Sequence, residues 1–397
     1  MRVRAGIALL LIVVAAGAVN YFRPIPAVAA THLLKTSEVI PGTTPALPWP
    51  TSGSGALGVS GLGLVATSGN EQAIPAASVA KVMTAMIVLE DSKLKKGDDG
   101  PNLTMTDADV RAYEADLQDK QSVVKVESGE KLSLFQVLEA VLIPSANNLA
   151  ETVARWDAGS IDAFVTKMNS RAAGLHLAHT KFADPSGASP SSVSTPTDLV
   201  MLGMLAMQND VFAQIVARGQ VTLPVAGTVY NVDAALGQNG IIGIKTGSGL
   251  NTGANFLFAA NATVDNTTIV IYGCVMGQPT LESAFAKAKA LLAAMTPALH
   301  VKKVLAQNQS VANYTTPWGE QTDLVSAVDV NLAEWPGMVL RQGLAANSIV
   351  LDRPVAPRTQ EGTEHIVLGD YSLDVPLVTA DQLYPPGRLW RLTRISF

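Results

Sequence analysis

The stretch Pro75-Ala76-Ala77-Ser78-Val79-Ala80-Lys81-Val82-Met83-Thr84 begins a long helical pattern that runs to about Leu94. Residues three apart on a helix share a face, so the Lys81 amine is expected to lie beside the Ser78 hydroxyl. A serine hydroxyl is a weak nucleophile until a base takes its proton, and a lysine is a base only when burial or neighbouring cations lower its pKa. Apolar neighbours favour such burial. The stretch therefore predicts a nucleophile, Ser78, and its base, Lys81, although Ser-x-x-Lys alone is a weak signal.

A second polar triplet, Ser145-Ala146-Asn147, follows Pro144 at the junction of two predicted helices. A hydroxyl at such a junction can relay a proton between a lysine and a leaving amine, and an amide can orient a peptide carbonyl. The alternative is structural, because serine and asparagine are favoured N-cap residues. Taken alone, the triplet favours the interpretation as a helix N-cap.

A third motif, Lys245-Thr246-Gly247-Ser248-Gly249, ends an apolar run over residues 241–244. A cation and a hydroxyl at the end of a strand can bind a substrate carboxylate. Glycine at 247 would let a substrate backbone approach the strand closely, as an added β-strand does. For the tripeptide alone, an ordinary turn after a strand is the alternative.

The three motifs occur in order on a helix, a helix junction and a strand. In this arrangement the chain resembles the serine D-alanyl-D-alanine carboxypeptidases, which are low-molecular-mass penicillin-binding proteins. The resemblance extends to residues 138–148 and to the loop Phe182-Ala183-Asp184-Pro185-Ser186-Gly187. It covers residues from about 60 to 295, and the motifs are specific when taken together.

The resemblance implies an α+β fold, with a penicillin-binding/β-lactamase-like transpeptidase domain followed by a small all-β domain. It implies that Lys245 and Thr246 hold the terminal carboxylate of a peptidoglycan stem peptide and that Asn147 fixes the peptide. No cofactor and no metal are expected. β-Lactams mimic the D-alanyl-D-alanine end and are expected to be covalent inhibitors.

The chemistry implied by the resemblance is acyl transfer in two steps. Ser78 attacks the penultimate D-alanine carbonyl with Lys81 as base, and Ser145 helps to protonate the departing D-alanine. Water then hydrolyses the ester, again with Lys81 as base. The backbone N–H groups of Ser78 and Ser248 are expected to form the oxyanion hole, a role that any side chain permits.

Two positions depart from the family pattern. The family usually has glycine where this chain has Ala146, and the change leaves both flanking side chains in place. After Lys-Thr-Gly the family usually has His or Tyr followed by Thr, where this chain has Ser248 and Gly249. The second departure puts the substrate preference in doubt, but not the reaction.

Three related functions remain open as alternatives: a D,D-endopeptidase of peptidoglycan cross-links, a class A-like β-lactamase, and a penicillin-binding sensor without turnover. A class A-like enzyme needs a deacylating glutamate, and Glu151 is the only glutamate between residues 147 and 245. It lies on a predicted helix too near Ser145 for that role. A Ser-His-Asp mechanism is disfavoured because none of the five histidines lies in a catalytic context.

The composition favours a well-packed protein and excludes several classes of function. Hydrophobic residues make up 48% of the chain, charged residues 15%, and the net charge is −5. This balance argues against nucleic-acid binding, which would require a basic stripe. Cys274 is the only cysteine, so an intrachain disulfide is impossible and a buried structural thiol is expected.

The composition also changes along the chain and predicts four segments. Residues 1–30 are expected to be a signal peptide or an N-terminal membrane anchor, and residues 31–55 a linker rich in Pro, Thr, Ser and Gly. Residues 56–299 form the expected serine D,D-peptidase domain, and residues 300–397 a small β-rich C-terminal domain.

The peptidase segment contains further helical patterns beyond the one that begins at Ser78. Apolar periodicity predicts helices over residues 132–142, 147–156, 161–173 and 281–295. Thr195-Pro196-Thr197-Asp198 predicts the start of another helix, with a threonine cap and a proline in the first turn.

The N-terminal residues predict export to the cell envelope. Arg2 and Arg4 precede an uncharged apolar run from Ala5 to Val19, which suits a signal peptide and is short for a membrane span. Cleavage and anchoring both remain open, and any membrane contact is expected to come from residues 5–22. The C-terminal run Pro385–Phe397 alternates with the strand period and predicts a last β-strand instead of an anchoring helix.

Overall fold

The structure is a computed structural model, and it describes residues 2–69, 71–249 and 252–394. The chain forms two compact units, Thr43–His300 and the pair of segments Met1–Gly42 and Val301–Phe397. The three motifs all lie in the unit Thr43–His300.

The N-terminal residues contain helix α1 (Arg2–Phe22) and two short strands, β1 (Ala30–His32) and β2 (Ser37–Val39). Both strands pair with strands formed by residues beyond 301. The predicted linker over 31–55 therefore differs from the structure, because its first part belongs to a β-sheet and its last two residues begin a strand. Very short strands at sheet edges carry little periodic signal, which is why the pattern missed them.

A five-stranded antiparallel sheet forms one layer of the unit Thr43–His300, in the order β11-β12-β13-β3-β4. The strands of this unit are β3 (Ser54–Val59), β4 (Gly63–Thr67), β5 (Ile74–Pro75), β6 (Asn102–Thr104), β7 (Lys131–Ser133), β8 (Val193–Ser194), β9 (Gln220–Leu223), β10 (Gly227–Tyr230), β11 (Ile241–Gly249), β12 (Gly253–Val264) and β13 (Thr267–Gln278). Strand β11, which carries the third motif, is an edge of the sheet.

The helices of this unit pack against the sheet and against one another. They are α2 (Lys81–Ser92), α3 (Asp107–Gln118), α4 (Leu134–Leu142), α5 (Asn147–Ala158), α6 (Ile161–Gly174), α7 (Pro196–Ala206), α8 (Asp210–Val216) and α9 (Leu281–Met295). Phe256 and Leu257 are neighbours on β12 and point to opposite faces. Phe256 contacts Phe285 of α9, whereas Leu257 lies against Gly203 of α7, so the sheet is covered on both sides.

Helix α2 is the centre of the helical layer, and every residue from Lys81 to Leu89 is buried. The helices predicted near α2, α4, α5, α6, α7 and α9 are all present. The expected start of α7 is confirmed, because the Thr195 hydroxyl accepts a hydrogen bond from the Asp198 N–H and Pro196 opens the helix. Cys274 is fully buried, as expected for a structural thiol.

The unit that combines Met1–Gly42 with Val301–Phe397 contains a seven-stranded sheet in the order β1-β15-β16-β20-β19-β18-β2. The remaining strands are β14 (His300–Leu305), β15 (Ser310–Thr315), β16 (Gln321–Ser326), β17 (Val330–Glu334), β18 (Val339–Ala346), β19 (Gln360–Leu368) and β20 (Tyr371–Thr379). The buried Tyr314 side chain donates its hydroxyl to the Asn347 carbonyl at 2.7 Å. The expectation that the C-terminal residues are β-rich agrees with these strands.

The predicted final strand is wrong, because residues Arg388–Thr393 form the short helix α10. Its last turn is held by Arg394, whose guanidinium donates to the carbonyls of Asn20 and Pro24 at the end of α1. These long-range contacts outweigh the alternating pattern of the short segment. Residues 395–397 of the predicted strand lie outside the described residues. Within the described part of the chain, no single helix is both long and apolar enough to cross a membrane.

Candidate active site

Ser78 lies in a single 3₁₀ turn, Ala77–Ala80, that leads directly into α2. Ala77 has a φ of 48°, in the left-handed region, so the backbone turns sharply just before the serine. The Lys81 Nζ donates to the Ser78 Oγ at 2.9 Å. The spacing of the first motif therefore places the two side chains together as expected.

Lys81 is fully buried and surrounded by hydrogen-bond acceptors. Besides Ser78, its Nζ donates to the Asn147 Oδ1 at 2.5 Å and to the Ser186 carbonyl at 2.8 Å. Burial lowers the pKa of Lys81 well below its ordinary value, and the positive charge of Lys245 lowers it further, against the opposite influence of Asp184. The site thus favours the neutral amine, which is the form that can accept a proton.

Ser145 is held in an uncommon backbone conformation at the end of α4, with a φ of 67°. Its side chain is buried, and among the described residues its Oγ has no hydrogen-bond partner. The N-cap of α5 is Ala146, which makes no side-chain capping bond. The structural alternative for the second motif therefore does not hold, and the Ser145 hydroxyl is free for a ligand.

Asn147 opens α5 and its amide is engaged at both ends. The Oδ1 accepts from Lys81, and the Nδ2 donates to the Oε1 of Gln121. The backbone N–H of Asn147 donates to the Ser122 carbonyl at 2.8 Å. Asn147 therefore contacts the proposed base Lys81 directly, in addition to the peptide-fixing role that the resemblance implies.

Lys245 and Thr246 lie near the end of edge strand β11 and are both buried. The Lys245 Nζ donates to the Thr246 carbonyl at 3.2 Å, which leaves most of its donor capacity unused among the described residues. Burial lowers the pKa of Lys245 to about 7, while the nearby Asp233 opposes the shift. An incoming carboxylate would therefore find a cation with free N–H groups.

Gly247 has a different structural reason from the one expected. A Cβ at this position would lie 2.8 Å from the Ala76 carbonyl oxygen and 3.1 Å from the Val79 side chain. The absence of a side chain lets β11 pack against the turn that carries Ser78. Glycine is required here by the approach of two protein segments, and the close approach of a substrate backbone to Gly247 stays a prediction.

The loop 182–187 completes the surroundings of Lys81. The Asp184 carboxylate accepts from the N–H groups of Ser186 and Ser189 and from the Ser192 hydroxyl. Burial raises the pKa of Asp184, but these hydrogen bonds outweigh it and hold the pKa below its ordinary value. The network fixes the loop so that the Ser186 carbonyl faces Lys81.

A cavity of about 600 Å³ lies over the nucleophile and is lined by residues from all three motifs, among them Ser78, Asn147 and Ser248. Segment 119–122 and residues 187–190 form its other walls. The cavity reaches Ser248 and Gly249 at the exposed end of edge strand β11, and the edge of a sheet can pair with an extended peptide. The geometry can therefore present a peptide carbonyl to Ser78.

Two residues near the site carry no sequence motif. Gln121 contacts Asn147, and Asp233 faces Lys245 with an Oδ2 atom that is buried and has no hydrogen-bond partner in the described chain. Burial raises the pKa of Asp233 to about 6, while the Lys245 charge opposes the shift. No feature of the sequence around either residue points to the site, because both are brought there by long-range packing.

Comparisons with known proteins identify the family of the chain. The family model for D-alanyl-D-alanine carboxypeptidase matches residues 61–280. The chain is 35% identical over 217 residues to the D-alanyl-D-alanine carboxypeptidase DacB2 of Mycobacterium tuberculosis, covering 52% of this chain and 69% of the relative. It is 28% identical over 229 residues to a D-alanyl-D-alanine endopeptidase of Haemophilus influenzae, covering 54% and 72%.

The fold is similar to that of penicillin binding protein 5 from Haemophilus influenzae, with a TM-score of 0.63. The match covers 87% of this chain and 100% of that chain at 20% sequence identity, and it concerns the fold alone. The expected fold class, a transpeptidase-like α+β domain with an additional β-rich region, is confirmed. The chain belongs to the D-alanyl-D-alanine carboxypeptidase family and is a serine-type hydrolase of peptidoglycan.

Proposed function

We propose that the chain removes the terminal D-alanine of stem peptides through an acyl-enzyme on Ser78. The hydrogen bond from Lys81 to Ser78, together with the two other acceptors around the Lys81 Nζ, is the observation that carries the proposal. A neutral Lys81 has two N–H groups, and it can donate one to the Asn147 Oδ1 and the other to the Ser186 carbonyl. Its lone pair is then left for the Ser78 proton.

In the first step the Ser78 proton moves to the Lys81 Nζ as the Oγ bonds to the carbonyl carbon of the penultimate D-alanine. Ser78 and Ser248 both line the cavity. The oxygen of the attacked carbonyl gains negative charge and lies between the backbone N–H groups of these two residues. When the C–N bond breaks, the proton held by Lys81 passes through the free Ser145 hydroxyl to the departing amine, and Lys81 is neutral again. The terminal D-alanine leaves, and the acyl group stays on Ser78.

Lys245 and Thr246 hold the carboxylate of the terminal D-alanine during this step. Among the residues that the structure describes, a positively charged Lys245 is the buried cation of the site that can do so while Lys81 is neutral. In the second step Lys81 takes a proton from water as water attacks the ester. The C–O bond to Ser78 then breaks, Lys81 returns its proton to the Ser78 oxygen, and the shortened peptide is released.

The class A-like β-lactamase alternative lacks its deacylating group in this structure. Glu151 lies on α5 and pairs with Arg155 one turn further along the helix, at 3.3 Å. No observation favours the sensor alternative, because every side chain needed for turnover is present. The D,D-endopeptidase alternative uses the same chemistry on a cross-linked substrate, and one of the relatives above has that name.

Labelling by a fluorescent penicillin tests the proposed nucleophile. The wild-type chain is expected to form a covalent adduct, because a β-lactam presents a reactive carbonyl in place of the peptide bond. Ser78→Ala is expected to remove the label, with a loss in acylation rate of about 10⁴-fold or more. Equal labelling of both proteins would rule out Ser78, provided that both unfold at the same temperature.

Action on peptidoglycan assigns the protein to the cell envelope. We further propose that residues 5–22 of α1 make any contact with the membrane, because the apolar side chains described on this helix are exposed, including Leu10, Leu11 and Val14. Fractionation of cells that express the chain with and without residues 5–22 tests this. Equal sedimentation of both forms with membranes would contradict it.

A further inference from the structure

Gln121 lies between α3 and the second motif and lines the same cavity as Ser78 and Asn147. Its backbone N–H donates to the Asp116 carbonyl at 2.9 Å, which fixes the segment to the end of α3. Its Oε1 accepts from the Asn147 Nδ2, and the next residue, Ser122, accepts from the Asn147 backbone N–H at 2.8 Å. The segment therefore holds Asn147 by both its main chain and its side chain.

The orientation of the Asn147 amide depends on its two neighbours. An amide carries an acceptor and a donor of similar size, so the hydrogen-bond network decides which end faces which partner. A protonated Lys81 can only donate, and it therefore selects the Oδ1 of Asn147. The Oε1 of Gln121 can only accept, and it selects the Nδ2. Both neighbours favour the same orientation as long as Lys81 is charged.

The situation changes when Lys81 becomes neutral, which is the state that activates Ser78. A neutral amine has a lone pair and can accept a hydrogen bond from the Asn147 Nδ2 if the amide turns over. The lone pair would then point at Asn147 and no longer at Ser78. The Ser186 carbonyl is a main-chain acceptor and cannot exchange roles in this way. A turn of the Asn147 amide alone would place its Oδ1 against the Gln121 Oε1, and two acceptors cannot share a hydrogen bond. The Asn147 amide can therefore turn over only if the Gln121 amide turns with it, and in this way Gln121 opposes the change.

We propose that Gln121 is a positioning residue that holds the Asn147 oxygen toward Lys81, so that the lone pair of neutral Lys81 is directed at the Ser78 hydroxyl. This inference rests on the proposed roles of Ser78 and Lys81. Gln121 acts through Asn147 and touches no reacting atom. Its effect should therefore depend on the presence of an acceptor at its side-chain end, and only weakly on the volume of the side chain.

The test compares variants of the full chain that keep or remove this acceptor. Gln121→Met and Gln121→Leu preserve most of the volume and remove the acceptor, whereas Gln121→Glu preserves the acceptor. Lys125→Met is the matched control, since Lys125 lies in the following segment and its exposed side chain pairs, among the described residues, with Glu127 at 3.1 Å. The measurement is the second-order rate of acylation by a neutral ester substrate without a carboxylate as a function of pH, together with the thermal unfolding temperature. Labelling by a fluorescent penicillin is recorded at one pH alongside.

We expect the acylation rate to rise with pH as Lys81 loses its proton and then to reach a plateau. Gln121→Met and Gln121→Leu should lower this plateau about tenfold, because a fraction of neutral Lys81 misdirects its lone pair. Gln121→Glu should keep a plateau close to that of the wild type. Its negative charge raises the pKa of Lys81, so the rise should move to higher pH. Lys125→Met should match the wild type throughout.

Two results would overturn the inference while leaving the proposed nucleophile in place. One is a wild-type plateau in both Gln121→Met and Gln121→Leu. The other is an equal loss in Gln121→Glu, since the shape of the side chain and not its acceptor would then matter. A wild-type chain that takes no label would contradict the proposed function itself, and with it this inference.

Discussion

Two lysines, Lys81 and Lys245, share one site, and their surroundings divide the chemistry between them. Both are fully buried, and burial lowers the pKa of each. The charge of Lys245 lowers the pKa of Lys81 further, whereas the nearby carboxylate of Asp233 raises the pKa of Lys245. Environments that push the pKa values of neighbouring groups apart are typical of acid–base sites. At neutral pH, one lysine can serve as base while the other binds a carboxylate.

The pKa of Lys245 predicts how peptide hydrolysis depends on pH. Lys245 is protonated below its pKa of about 7 and loses its charge as the pH rises through that value. Because the free enzyme must carry this charge to capture the substrate carboxylate, kcat/KM should fall above about pH 7, mainly through a rise in KM.

Lys245→Arg tests this assignment, since a guanidinium stays charged throughout the accessible pH range. The variant should lose the alkaline fall in kcat/KM, even if its maximum is lower. Acylation by a neutral ester substrate without a carboxylate serves as the control and should show no such fall in either protein. An unchanged alkaline fall in Lys245→Arg would show that another group is responsible.

At the scale of single residues, the sequence predicted the site residues that lie in recognisable motifs. It missed the residues outside the motifs that contact them. Ser78 and Lys81 could be placed together because three residues along a helix fix their separation. Gln121 and Asp233 could not be found, because each reaches its partner through packing between segments far apart in the sequence. The packing reason for Gly247 could not be found for the same cause, since Ala76 is its neighbour only in the folded chain.

At the scale of elements, the site is built where edge strand β11 meets the turn Ala77–Ala80. Gly247 permits the contact from the strand side, and Gly187 permits it from the loop side. A Cβ at Gly187 would lie 1.9 Å from the Ala77 carbonyl oxygen, and its φ of 74° is in the left-handed region. The turn that carries Ser78 therefore packs closely between Gly247 and Gly187.

This close packing predicts that Gly247→Ala lowers the rate of catalysis more than it lowers the stability of the fold. The new methyl group must displace the Ala76 carbonyl, which moves the turn that carries Ser78 by a fraction of an ångström. Displacements of about 1 Å at a catalytic group can lower rates about 100-fold. We expect a loss in acylation rate approaching that size in a protein that remains folded by circular dichroism.

Gly174→Ala is the matched control, because a Cβ at Gly174 meets no described atom within 4 Å. It should acylate at the wild-type rate. If a folded Gly247→Ala protein also acylated at that rate, the close packing of β11 on the turn would not be needed for catalysis.

The helices and strands of the peptidase unit were largely predictable, because their apolar periodicity agrees with strong local signals. Thr195 and Pro196 marked the start of α7, and Leu281–Met295 formed a helix as expected. Helix α3 was missed because it is polar, with only Asp109 buried, so it shows no apolar stripe. Helix α10 was mistaken for a strand, since a segment of six residues contains too few periods to distinguish the two.

At the scale of the whole molecule, the sequence predicted a peptidase unit and a β-rich unit but not the way in which the chain divides between them. Residues 30–32 and 37–39 join the sheet formed by residues beyond 301, so the β-rich unit is discontinuous in sequence. A short edge strand draws its stability from its partner and leaves little trace in its own composition. The peptidase unit, in contrast, is one continuous segment with its own buried core.

The central claim is that this continuous unit hydrolyses a D-alanyl-D-alanine peptide through Ser78. The most direct measurement is the release of free D-alanine from diacetyl-L-lysyl-D-alanyl-D-alanine by the full wild-type chain and by Ser78→Ala, with a cross-linked peptide dimer as second substrate. We predict that the wild type releases D-alanine faster than it cleaves the dimer and that Ser78→Ala does neither. Release of D-alanine by a folded Ser78→Ala protein at the wild-type rate would contradict the account, and faster cleavage of the dimer would identify an endopeptidase.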